Sequence, residues 1–136
     1  MSELHDLHVQ LLLMLDELEA LTANPGPDEA ALAGLRYRLT RTSGARRRLV
    51  DALCVDLKPR LVQDEQAALQ ALHETNTAAM TASSEHIGTW SLREVVKNWP
   101  GYCQASSALR RSMRAQIETE KALLYPHLQE GDGVAD

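Results

Sequence analysis

Phenylalanine is absent from this chain, and only five aromatic residues stand in for it: Tyr37, Trp90, Trp99, Tyr102 and Tyr125. Packing therefore falls to leucine and alanine, both strong helix formers. No apolar run approaches the roughly 20 residues of a membrane span, and the acidic, amphipathic N-terminus does not read as a signal peptide. Cys54 and Cys103 are the two cysteines. They are far apart and form no metal-type pair, so reduced thiols in a cytoplasmic protein are expected rather than a disulfide. Basic residues are missing from the first quarter, where Glu3, Asp6, Asp16, Glu17, Glu19, Asp28 and Glu29 all precede the first arginine, Arg36. Phosphate loops, nucleophile elbows and catalytic triads are missing too, and no enzymatic activity is expected.

Six arginines, Arg36, Arg38, Arg41, Arg46, Arg47 and Arg48, then arrive together. Such a run can serve nucleic acid or an acidic partner. The aromatic platforms of nucleic-acid readers do not accompany it, which disfavours nucleic acid. The expectation is an acidic first helix lying beside a basic second one, each offsetting the other.

The 136 residues suit one domain, expected over residues 1–130 with a flexible tail at 131–136. Leu4, Leu7, Leu11, Met14, Leu18 and Leu21 alternate by three and four, with His8, Leu12 and Leu15 in a row beside them, which predicts an amphipathic first helix. Asn24-Pro-Gly-Pro27 ends it, and Asp28 is placed to cap a second helix reaching about Leu61. Gly44 marks a weak point or bend within it, and Pro59 lies near its end. A third helix is expected from about Asp64, with Leu69, Leu72, Asn76, Ala79, Ser83, His86 and Trp90 on one stripe. Ser91-Leu-Arg-Glu94 has the form of a capping box and predicts a short extra helix. Asn98-Trp-Pro100 opens the last one, which is expected to close at Leu124-Tyr-Pro-His-Leu128.

On that last helix Leu109, Met113, Gln116, Glu120, Leu124 and His127 share a face. Gln116 and Glu120 thus interrupt an apolar stripe, and polar groups there cost free energy unless something binds them. His73 and His127 are read as solvent-facing. Trp90, Trp99 and Tyr102 are read as an apolar cap on one end of the molecule.

Acidic residues followed by Leu-Tyr-Pro-x-Leu at the close of a last helix resemble the hemerythrin-like, or HHE cation-binding, family. So do the early His8 in an acidic amphipathic helix, the Glu85-His86 pair, and Trp99-Pro-Gly-Tyr102 at the start of the last helix. The likeness spans about residues 3–129. It implies an all-α, up-down antiparallel four-helix bundle with a short extra helix between the third and fourth.

Members of that family hold two irons through His and carboxylate side chains. Carried over by position, His8 would be the first-helix ligand, with His5 as the lesser candidate, and His86 a third-helix ligand. The fourth helix would offer Glu120, with Gln116 where an imidazole belongs. Ala82, Leu49 and Leu53 stand at the remaining ligand positions and can bind nothing, the second-helix register resting on Pro59 alone.

The reading is thus a degenerate, non-catalytic interaction, sensory or regulatory protein without a cofactor. Its polar interior would be a network of Gln116, Glu120, His8 and His86, with a protein partner or small ligand unidentified. The alternative is one iron or another divalent metal held by His8, His86 and Glu120.

Overall fold

The computed structural model describes residues 2–135, with side chains as far as Leu128; the tail expected at 131–136 lies outside the residues whose side chains are described. Among the described residues the chain is all-α, with no strand. The helices are α1 (Glu3–Thr22), α2 (Glu29–Leu57), α3 (Gln63–Thr89), α4 (Leu92–Lys97) and α5 (Trp99–Ala135), with a 3-10 turn at Lys58–Arg60. No helix is long and apolar enough to cross a membrane among the described residues.

Caps start these helices where the sequence places them. Ser2 accepts from the amide of His5, Asp28 from that of Ala31, and Ser91 from that of Glu94. Each satisfies an amide that the first helical turn leaves without a partner. α2 is continuous through Gly44 and gives way to the 3-10 turn at Lys58, next to Pro59. The expected closure at Leu124-Tyr-Pro-His-Leu128 is corrected, because α5 carries Pro126 inside it and continues to Ala135. Proline removes one amide donor and crowds the preceding turn, but here it does not end the helix.

α1 packs on α2 and α5, α3 packs on α2 and α5, and α4 contacts α2 and α5. The interior falls into two apolar clusters. One gathers Leu11, Leu15 and Leu18 of α1, Leu32, Leu35 and Leu39 of α2, Val95 of α4, and Trp99, Tyr102 and Ile117 of α5. The other gathers Leu4, Val50, Cys54, Leu57, Leu69, Leu72 and Leu124. His8 lies in sequence between the two sets on α1, Arg46 on α2 and Glu120 on α5. A polar layer therefore separates the two oily ones.

Candidate functional site

The helical repeat of α1, α2 and α5 brings a polar residue of each inward at the same level. On α1 the buried positions are Leu4, His8, Leu11, Leu15 and Leu18. On α2 they are Leu32, Leu35, Leu39, Arg46, Val50, Cys54 and Leu57. These steps of three, four and, from Leu39 to Arg46, seven keep one face inward over many turns, so a polar residue at such a step is carried into the interior with its neighbours.

Glu120 is the centre of the layer and is 0 % exposed. Its Oε1 lies 2.7 Å from His8 Nε2. Its Oε2 accepts from Arg46 Nη1 at 2.7 Å and from Gln116 Nε2 at 3.2 Å. His8 Nδ1 lies 2.6 Å from the Tyr125 hydroxyl. With a proton on Nε2, His8 donates to the carboxylate, and its Nδ1 pairs with the phenol hydroxyl. Carboxylate and guanidinium then neutralise each other, and His8 and Gln116 supply the remaining hydrogen bonds that a buried ion pair needs.

Electrostatics follows from depth. Burial lowers the Arg46 pKa from its ordinary value while Glu120 works against that shift. Burial, then the charges of Glu120 and Glu118, raise the Tyr125 phenol, so it remains a protonated hydrogen-bond partner. Arg46 Nε is buried and has no hydrogen-bond partner.

Three of the residues expected at a metal site, His8, Glu120 and Gln116, thus meet, and His86 does not join them. Its ring centre sits 5.9 Å from that of Tyr102, and its pKa is lowered by burial and then by Arg36. Among the described residues no group of three or more His, Cys, Asp or Glu is placed to hold a metal ion. His5 is half-buried beside Tyr125, with ring centres 6.0 Å apart. Leu49 and Leu53 are partly buried and pack on the second apolar cluster. Asn76 is buried and donates to Asp51 Oδ1 at 3.1 Å, in a separate contact that also includes His73 at 3.3 Å. His127 is partly covered and lies 4.0 Å from Glu65.

The arginine run behaves differently from expectation. Arg38 pairs with Glu17 of α1 at 3.2 Å. Asp16 and Glu19 are instead bound by Arg114 of α5, at 2.9 and 3.2 Å. Arg36 donates to the carbonyl of Trp90 and lies over the Tyr102 ring at 5.7 Å. The expected aromatic cap is present: Tyr102 stacks with Trp99 at 5.8 Å and meets Trp90 edge-on at 5.7 Å. Trp99 Nε1 also donates to the carbonyl of Asn24 at 2.9 Å.

Arg46 and Tyr125 are the site residues that sequence reasoning missed. The signal for Arg46 was available, since it continues the stripe from Leu32, Leu35 and Leu39 to Val50. Its place among six clustered arginines concealed it. A second buried arginine, Arg110, also went unmarked; it donates to Ser106 at 2.7 Å and to Thr22 at 3.1 Å.

A scan against protein-family models finds no match to this chain, and searches of curated proteins and of solved structures find none.

Proposed function

We propose that this chain is a hemerythrin-like, up-down antiparallel four-helix bundle in which an internal ion pair stands where a metal centre would be. It serves as a non-catalytic interaction, sensory or regulatory protein, in the cytoplasm. The observation that carries the reading is the 2.7 Å contact between Arg46 Nη1 and Glu120 Oε2. The course of the chain supports the topology. α1 leads from Leu4 in one apolar cluster to Leu18 in the other, α2 returns, α3 ends beside Tyr102, and α5 returns again.

The iron pair implied by the resemblance does not fit these residues. Both oxygens of Glu120 are engaged. The position of a cation beside them is held by a guanidinium that stays protonated in proteins. Leu49, Leu53 and Ala82 offer no ligand. The mononuclear alternative through His8, His86 and Glu120 requires His86 to leave Tyr102 and Arg46 to give up its carboxylate, which would strand a buried positive charge.

Metal analysis of protein purified without chelator tests this reading. Iron and zinc are expected far below stoichiometry. Near-stoichiometric iron, with the absorption bands of a two-iron centre, would sink it.

A further inference from the structure

We infer that the space between α2, α3 and α5 is a binding site for a small organic anion, a single carboxylate on an apolar body about the size of a benzene ring. This names the ligand class of the regulatory protein proposed above and rests on that reading in one respect: the cation at the site is Arg46.

Beyond Asn76, α3 contributes no buried residue. Ala79, Ala82 and Ser83 of α3 face the space there, and their short side chains do not fill the distance to α2 and α5. A cavity of about 100 Å³ results, with Arg46, Gln116, Ser43 and Ser112 in its wall. A second cavity of about 40 Å³ adjoins it and reaches Tyr102, His86 and Arg36. Thr40, Ser43, Ser83, Ile87, Leu109 and Met113 line both. Protein interiors ordinarily leave few voids larger than a water molecule. The larger space opens to solvent past Met80 and Ile87, and is well below the roughly 300–1,000 Å³ of pockets for drug-sized ligands.

The wall selects charge. Arg46 and Arg47 line the larger cavity and Arg36 the smaller, and neither contains an aspartate or glutamate. Arg46 is 6 % exposed, and its Nε is buried without a partner. Glu120 takes Nη1 and Nε is sealed in the wall, which leaves Nη2 as the guanidinium donor for a ligand. A carboxylate oxygen accepts a charge-assisted hydrogen bond from such a donor. Ser43 and Ser112 add hydroxyl donors, while Leu109, Met113 and Ile87 offer an apolar bed for the body of the ligand. A carboxylate seated there shares Arg46 with Glu120, and so reaches the His8–Tyr125 pair through the same hydrogen-bonded chain.

Benzoate is the probe, with benzyl alcohol as its uncharged counterpart, followed by amide chemical shifts of the isotopically labelled full chain. The expected result is saturable binding of benzoate below about 10 mM, with shifts concentrated near Ser43–Arg47, Ser83–Ile87 and Ser112–Gln116. Benzyl alcohol should bind at least about tenfold more weakly, because it lacks the charge that Arg46 pairs with. Ser83→Leu, which fills the cavity and leaves Arg46 in place, should abolish binding while the protein stays folded. Three results would each overturn the proposal: no saturable shifts with benzoate, equal binding of the alcohol, or unchanged benzoate binding by Ser83→Leu. Metal content is measured separately, so a failure here is distinct from a failure of the metal-free reading.

Discussion

Arg46 and Glu120 are each buried charges whose compensation is the other. Removing one leaves its partner uncompensated, which typically costs about 3–5 kcal/mol, whereas replacing both with apolar side chains costs far less. In urea unfolding, Arg46→Leu and Glu120→Leu should each destabilise by about that amount, and the double variant should be clearly more stable than the sum of the two predicts. Simple additivity would mean the pair is not coupled. The Cys54 thiol, pushed from 9.0 up to about 11 by burial and then by Asp51 and Glu120, should react with iodoacetamide at pH 8 about a hundredfold more slowly than an ordinary thiol. Labelling at an ordinary rate in the folded protein would contradict this burial. His86 adds a pH dependence. Its folded pKa lies below the ordinary 6.5, so the unfolded chain binds the extra proton more readily. The contribution to stability is therefore complete above 6.5 and is lost as pH falls from there through the folded value. His86→Leu should flatten the change in urea midpoint between pH 7 and pH 5 relative to wild type, and an unchanged slope would show that His86 does not carry it. At this scale the sequence was legible for His8, Gln116 and Glu120, because a polar residue on an apolar stripe is conspicuous. It was not legible for His86, whose stripe is as regular as theirs. Helical periodicity gives the face a residue occupies, but not which neighbour lies opposite it.

Helix boundaries came through well where local chemistry decides them. Asp28 and Ser91 act as caps because their oxygens reach amides three residues on, and Asn24-Pro-Gly-Pro27 cannot continue a helix. Pro126 shows the limit of such signals, since α5 continues past a residue that weakens a helix by itself, with Leu128 packed on the second apolar cluster. Glycine offers a direct test on α2. Gly34 is exposed within the helix, and a Cβ there would meet nothing within 4 Å. Gly34→Ala should raise stability by about 1 kcal/mol, through helix propensity and a less free unfolded chain. A loss of stability, read in thermal or urea melts, would mean that this turn of α2 is not regular helix. The second half of α3 contributes no buried residue, and its Met80 and Ile87 are 38 % and 43 % exposed. It is also the wall of the cavity assigned above to a small carboxylate.

Among the described residues, two apolar clusters are held apart by a polar layer of His8, Arg46, Gln116, Glu120 and Tyr125. The sequence announced the all-α class through composition and periodicity. It left the balance of charge inside the layer hidden, because that balance depends on which arginine of a dense run points inward. With Arg46 completing this layer, as proposed above, the fold would need no metal ion. The most direct measurement is equilibrium urea unfolding of the wild-type chain in excess chelator and, without oxygen, in excess ferrous iron. The same midpoint is expected in both. A bound ion would stabilise the folded state by about 2.7 kcal/mol at a hundredfold excess over its dissociation constant, and a rise in midpoint of that kind with iron would contradict the account.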